Sequence, residues 1–161
     1  MEVEMKIKGL MIDPVTNMPI IILRDPKSDA LLPIWVGIFE ANAIALELER
    51  VVTPRPMTHD LLRDVVRSLE ARVERIVVTE LKDNTFYALI HLSRDGHPYR
   101  VDARPSDAIA LALRTQSPIF ADSVVIESAK NLDPTEDARD TERLRKWLET
   151  LDESELGKQI H

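Results

Sequence analysis

The chain has 161 residues, a net charge of −7 and no cysteine, and 44% of its residues are hydrophobic. This length predicts one domain with a substantial core, and the composition is typical of a folded globular protein. The missing cysteines exclude disulfides, thiolate zinc sites and cysteine nucleophiles. No apolar run approaches the ~18 residues of a membrane span, and the charged N-terminus does not resemble a signal peptide. We therefore expect a cytoplasmic protein that makes no membrane contact.

Three strands and a helix are predicted in the first half of the chain. The strands cover residues 5–13, 18–23 and 30–36, with turns at residues 13–17 and 25–29 that are rich in Asp and Pro. The continuous apolar run in the second strand predicts burial on both faces. Gly37 ends the third strand, and the apolar helix that follows at residues 39–50 is expected to be largely buried.

The second half repeats this order after a linking helix. The linking helix is predicted at residues 59–71 with Thr58 as its N-cap, and its apolar residues recur at spacings of three and four, which predicts an amphipathic helix. The strands and the second apolar helix then follow at residues 73–81, 86–92, 99–103 and 106–115.

A repeated segment supports an internal duplication. Residues 43–48 read AIALEL and residues 108–113 read AIALAL, although two Ala- and Leu-rich helices can also match by coincidence. The hairpin order predicts mainly antiparallel pairing. We therefore predict an α+β fold of two strand-strand-strand-helix units, with mainly antiparallel sheets covered by apolar helices.

The C-terminal part of the chain changes in composition. Residues 118–121 are predicted to be a short connection, and residues 122–129 are ambiguous between helix and strand. A charged helix is predicted at residues 136–151, with an apolar stripe that includes Trp147. The chain is thus expected to comprise a domain at residues 1–130 and a charged, helical C-terminal tail at residues 131–161.

Carboxylates are the main catalytic resource of this sequence. The four glycines form no phosphate-cradling loop, and the four histidines lack zinc spacing. Asp102, Arg104 and Asp107 lie where a predicted strand meets the second apolar helix. Oxygen ligands of this kind suit Mg or Mn, and such ions activate water in phosphodiester cleavage.

Further polar residues lie at the corresponding junction of the first half and at the start of the linking helix. They are Glu40, Asn42, His59 and Asp60. We predict Glu40 and Asp60 as further metal ligands beside Asp102 and Asp107. The predicted catalytic residues are Asp102, Asp107, His59 and Arg104. Simpler interpretations stay open, because an acid in a first helical turn also stabilises the helix dipole and Asp102 can form a surface ion pair with Arg104.

Several segments resemble the bifunctional nuclease domain family, formerly a domain of unknown function. They are LPIWVGIFEANAIALEL (residues 32–48), PRPMTHDLL (54–62), VDARPSDAIALAL (101–113), DPVTN (13–17) and DNTFYA (83–88). The resemblance covers roughly residues 3–130. It implies a compact α+β domain with nuclease activity on DNA and RNA, but the site residues above are inferred from their own chemistry.

Two functional hypotheses follow. The first is a nuclease that hydrolyses phosphodiester bonds in DNA or RNA with Mg or Mn, so that nucleic acid is its substrate. The second is a non-enzymatic oligomeric adaptor or small-ligand-binding module, in which residues 101–113 serve only the fold. Apolar surface left uncovered on the two units favours a homo-oligomer, most simply a homodimer.

Overall fold

The computed structural model describes residues 1–131, which form seven strands and four helices. In chain order these elements are β1 (Glu2–Ile12), β2 (Pro19–Arg24), β3 (Leu31–Trp35), α1 (Ile38–Leu48), α2 (Thr58–Ser68), β4 (Arg72–Lys82), β5 (Thr85–Arg94), β6 (His97–Ala103), α3 (Pro105–Thr115), β7 (Ile119–Asp122) and α4 (Ser123–Ala129). The helix predicted at residues 136–151 lies outside the described residues.

One sheet joins all seven of these strands in the order β3-β2-β1-β7-β4-β5-β6. Every neighbouring pair is antiparallel except β4 and β7, which run parallel. The α+β fold is confirmed, because β1-β2-β3-α1 and β4-β5-β6-α3 repeat the same order and α2 links them. The connection predicted at residues 118–121 is wrong, because this segment belongs to β7, which bridges the two halves of the sheet.

The loops that connect β1, β2 and β3 are built around aspartates. The Asp13 carboxylate accepts the backbone N–H of Val15 at 2.8 Å and the hydroxyl of Thr16 at 2.6 Å, and Asp25 is bonded in the same way in the next loop. Asp13 is fully buried and also accepts the indole N–H of Trp35 at 2.6 Å. These side-chain bonds satisfy turn backbone groups and fix the end of β3 against the first loop.

The core lies between the sheet and the helices. All five residues from Pro19 to Leu23 in β2 are buried, which confirms that this strand is covered on both faces. Helix α3 is the most buried of the four helices, and it contacts α1, α2, β4 and β5. The ambiguous segment at residues 122–129 forms α4, which packs against β3, β4 and β7. Among the described residues, no helix is long and apolar enough to cross a membrane.

Helix α2 is amphipathic, but its apolar side faces outward. His59 is its one buried residue. Leu61, Val65 and Leu69 are 56%, 46% and 55% exposed, and with the half-exposed Met57 they form a stripe at a spacing of four residues. We call these four residues the α2 stripe. Periodicity correctly predicts the helix, but the α2 stripe is not part of the core that residues 1–131 form.

Three helices end in the left-handed conformation that glycine usually occupies. Arg50, Glu70 and Gln116 follow α1, α2 and α3 with φ of 56°, 59° and 54°. The backbone N–H that follows each of these residues bonds to a carbonyl five residues back, as in a Schellman motif. The chain therefore ends these helices in the usual way but without glycine.

Candidate active site

The first turns of α1, α2 and α3 are joined by a chain of side-chain contacts. Glu40 lies in the first turn of α1, His59 in that of α2 and Asp107 in that of α3, while Arg104 is the N-cap of α3. These residues are far apart in sequence, and the packing of α3 against α1 and α2 brings them together. We call these four residues the carboxylate–arginine cluster.

Arg104 holds the two carboxylates of the cluster. Its Nη2 donates to Glu40 Oε1 at 2.6 Å, and its Nε donates to Asp107 Oδ2 at 3.1 Å. The Asp107 charge raises the pKa of Arg104 above its ordinary value, and Glu40 adds to this shift. The Arg104 side chain is 70% exposed whereas that of Glu40 is 14% exposed. The guanidinium thus lies at the surface with its positive charge facing solvent.

His59 is oriented by the other oxygen of Asp107. Its Nε2 lies 2.8 Å from Asp107 Oδ1, and because a carboxylate accepts, Nε2 carries the proton. Nδ1 makes no hydrogen bond to the described residues, in which every fully buried side-chain nitrogen or oxygen has a partner. Nδ1 therefore retains contact with solvent, and in the neutral ring it is the basic nitrogen.

Gly37 provides the space for Glu40. A Cβ built on Gly37 would overlap the Glu40 carboxylate, which folds back over the start of α1. Gly37 has φ −71° and ψ 158°, a conformation open to any residue, so its missing side chain matters here rather than its flexibility. Sequence reasoning assigned Gly37 only to the end of β3. The signal that it missed is the spacing of three residues between this glycine and a first-turn acid.

Asp60 is next to His59 in the sequence, but its carboxylate is bonded to groups that hold the helices together. Its Oδ1 accepts Arg114 Nε at 2.8 Å, and its Oδ2 accepts the backbone N–H of Met57 at 3.0 Å. Burial alone would raise the pKa of Asp60, but the Met57 N–H and the Arg114 charge outweigh it and lower that pKa. Arg114 is buried and also donates to the carbonyls of Ala110 and Ala43. This ion pair therefore ties α2 to α3 and α1.

Two of the predicted site residues lie apart from the carboxylate–arginine cluster. Asp102 is exposed on β6, opposite Leu89 of β5, and no hydrogen bond or ion pair joins it to the cluster. Asn42 is exposed on α1 and likewise has no bond to the cluster. Their predicted roles in metal binding and catalysis stay predictions.

The fit of a divalent ion to this site can be judged from its donors. In residues 1–131 no three His, Asp or Glu side chains converge as a preformed metal-binding group. Glu40 and Asp107 nonetheless share one cation, the Arg104 guanidinium. Mg is commonly held by one or two carboxylates together with water and substrate phosphate. The donor set therefore fits an ion recruited with substrate better than a tightly held resident ion.

Comparison with known proteins identifies the family. The model of the bifunctional nuclease domain matches residues 21–133. The chain is 40% identical over 133 residues to the uncharacterized protein Rv1829 of Mycobacterium tuberculosis, covering 83% of this chain and 79% of that protein. It is 29% identical over 124 residues to bifunctional nuclease 1 of Arabidopsis thaliana, covering 70% of this chain and 38% of that protein. For bifunctional nuclease 1 of Oryza sativa subsp. japonica the identity is 26% over 110 residues, covering 66% and 33%. The chain belongs to the bifunctional nuclease domain family.

Proposed function

We propose that this protein is a nuclease that hydrolyses phosphodiester bonds of DNA or RNA at the carboxylate–arginine cluster. The observation that carries the proposal is the continuous contact from Glu40 through Arg104 and Asp107 to His59. It combines an exposed guanidinium with an imidazole oriented by a carboxylate, in a chain whose plant relatives are named bifunctional nucleases.

Each residue has a defined part in this reaction. Arg104 binds the scissile phosphate, because a planar fork of donors matches phosphate oxygens and stabilises the charge that develops on them. His59 Nδ1 takes a proton from water while the water oxygen bonds to phosphorus, the ester P–O bond breaks and the leaving oxygen takes a proton from solvent. Asp107 keeps the proton on Nε2 and stabilises the imidazolium that forms.

We further propose that cleavage depends on Mg or Mn. Glu40 and Asp107 would hold the ion as Arg104 turns toward the phosphate, and its 70% exposed side chain is free to do so. When bound, such an ion would lower the pKa of a water molecule and place positive charge near the phosphate. The sequence-based role of Asp102 as a further ligand is tested by the Asp102→Asn variant of the assay below, and that of Asp60 by whether Asp60→Asn retains cleavage.

The α2 stripe supports a homodimer. Its residues are apolar, lie along one helix face and are between 46% and 56% exposed. Two such stripes can pack against each other about a twofold axis, which would remove the apolar surface of both copies from water. We propose that the nuclease is a homodimer and that it acts in the cytoplasm.

Cleavage of supercoiled plasmid and labelled single-stranded RNA tests the proposal. We would compare the wild type with His59→Gln, Arg104→Ala, Asp107→Asn and Asp102→Asn, each in Mg, Mn and EDTA. We expect cleavage by the wild type and at least a hundredfold loss on changing His59 or Asp107, which is the range for a general base and its partner.

A matched control separates the site from general charge effects. Arg100 is an exposed arginine on β6, four residues before Arg104, and Arg100→Ala should retain activity. Equal cleavage by wild type, His59→Gln and Arg104→Ala would refute the assigned site. Absence of cleavage in every folded preparation, with all metals, would refute the nuclease proposal and favour the ligand-binding module.

A further inference from the structure

An open cleft lies beside the carboxylate–arginine cluster. It has a volume of about 430 Å³, within the range of small-ligand sites. The loop after β1, the end of β3, the β4–β5 turn and the start of α3 line it, and Arg104 belongs to both the cleft and the cluster. A ligand in this cleft therefore lies next to the proposed catalytic residues.

The lining of the cleft combines apolar and polar groups but contains no carboxylate. Its apolar wall includes the half-buried Trp35 and Phe86, and its polar groups include Asn84, Ser106 and Arg104. The Trp35 ring is fixed, because its indole N–H donates to the buried Asp13. The lining contributes no carboxylate of its own, and its one arginine, Arg104, also holds Glu40 and Asp107, so an anionic group in the cleft would have Arg104 as its charged partner.

Ser106 gives the cleft an unused hydrogen-bonding group. It is 7% exposed and lines the cleft, and its hydroxyl has no hydrogen-bond partner among residues 1–131. Because every fully buried side-chain oxygen there has a partner, this hydroxyl opens into the cleft. Ser106 also follows Pro105 in the first turn of α3, where its own N–H and that of Asp107 have no acceptor within the helix. N–H groups of this kind at the start of a helix favour the binding of a phosphate group.

We propose that this cleft binds one nucleotide, with its base along the wall of Trp35 and Phe86 and its phosphate toward Ser106 and Arg104. A nucleotide has the three features that the lining calls for: a planar ring for the wall of Trp35 and Phe86, hydrogen-bonding edges for Asn84, and a phosphate for Ser106 and Arg104. The inference extends the proposed function, since the bound nucleotide adjoins the scissile phosphate of a substrate strand. A free mononucleotide has the same chemistry, so both sources are tested.

Calorimetric titration of the full chain with AMP and UMP tests the cleft directly. Adenosine and ribose 5-phosphate, titrated in parallel, separate the contributions of base and phosphate. We expect both mononucleotides to bind more tightly than either fragment. Ser106→Ala should weaken AMP binding by about threefold to tenfold, the loss that corresponds to one hydrogen bond. Ser128→Ala, an exposed serine on α4, should leave binding unchanged.

A second variant tests the other side of the cleft. Asn84 has φ 59°, a value that glycine accepts, so Asn84→Gly removes the amide without straining the turn. Asp95 has φ 50° in the β5–β6 turn, and Asp95→Gly is its control. In a Trp147→Phe background, Trp35 is the remaining tryptophan, and AMP should change its fluorescence. We expect Asn84→Gly to weaken this response and Asp95→Gly to preserve it.

The outcomes separate this inference from the proposed function. If wild type cleaves nucleic acid but binds no mononucleotide, and Ser106→Ala and Asn84→Gly leave the KM for a short oligonucleotide unchanged, the cleft proposal is wrong and the nuclease proposal stands. A raised KM without mononucleotide binding identifies the nucleotide of a strand as the ligand. Binding of AMP that Ser106→Ala weakens, without any cleavage, supports the cleft and refutes the nuclease. Binding that neither variant changes places the nucleotide elsewhere.

Discussion

Gly37→Ala is a sharp test of the carboxylate–arginine cluster because the added methyl group lies against the Glu40 carboxylate. The three atoms nearest to a Cβ at this position all belong to the Glu40 side chain. To restore normal contact the carboxylate has to move by roughly 1 Å, away from its 2.6 Å bond with Arg104. The backbone at Gly37 accepts alanine without strain. The substitution therefore displaces Glu40 while leaving the fold in place.

The expected effects on stability and activity differ in size. Alanine reduces the entropy of the unfolded chain, which stabilises by about 0.4–1 kcal/mol, and weakening an ion pair whose Arg104 partner is 70% exposed costs a similar small amount. The free energy of unfolding should thus change by less than about 1 kcal/mol. A displacement of ~1 Å in a reacting constellation can lower kcat/KM by about a hundredfold.

A double-mutant cycle measures whether Gly37 acts through Glu40. Plasmid cleavage and urea unfolding would be measured for wild type, Gly37→Ala, Glu40→Ala and the double variant. In the Glu40→Ala background the alanine at position 37 has no carboxylate to displace, so it should change cleavage by less than about twofold. Fully additive losses of activity would refute the reasoning, because they would show that Gly37 acts independently of Glu40.

Three further variants test the structural assignments. Asp60→Asn should destabilise the fold by about 2–4 kcal/mol by leaving the buried Arg114 without a counter-charge, and should retain cleavage at temperatures where it is folded. Folding lowers the pKa of Asp60, so its carboxylate stabilises the fold above the ordinary pKa of 3.8, and this stabilisation is lost as the pH falls through the lowered value. The free energy of unfolding of Asp60→Asn should therefore depend less steeply on acid pH than that of the wild type. Gln116→Gly should raise the free energy of unfolding by about 0.5–1 kcal/mol, measured by urea unfolding, because Gln116 has φ of 54°, which glycine adopts at no steric cost. A lower free energy of unfolding would contradict this reasoning. Leu61→Glu combined with Val65→Glu should convert the proposed dimer to a monomer in light scattering, and an unchanged mass would exclude the α2 stripe as the interface.

Local patterns predict most of the elements of this fold. The strands of the second half are predicted because paired turn residues such as Asp95 and Gly96 adopt positive φ and close tight hairpins, and in the first half single residues, Asn17 and Asp29, adopt positive φ in the turns. Strand β7 is missed because it has four residues and depends on β1 and β4 at a distance in the chain. Periodicity also cannot predict that the α2 stripe faces outward, because apolar residues have the same spacing on a helix face that joins the core and on one that contacts another copy.

The sequence predicts which residues form the candidate site better than it predicts which of these residues contact one another. Glu40, His59, Arg104 and Asp107 are all selected from the sequence because they are polar groups at the starts of apolar helices. Their pairing is not predictable locally, since Glu40 and Arg104 are 64 residues apart and His59 and Asp107 are 48 apart. The same chemical argument selects Asp60, whose carboxylate the structure places against Arg114.

The most direct measurement is RNA and plasmid cleavage by Arg104→Ala beside Arg100→Ala, in Mg and in EDTA. Both variants remove one exposed arginine charge from neighbouring positions, so they share any general effect on nucleic-acid attraction. Arg104 alone bridges the two carboxylates of the cluster. We predict metal-dependent cleavage by wild type and Arg100→Ala, and a loss of at least a hundredfold in Arg104→Ala. Equal cleavage by the two folded variants would contradict the account.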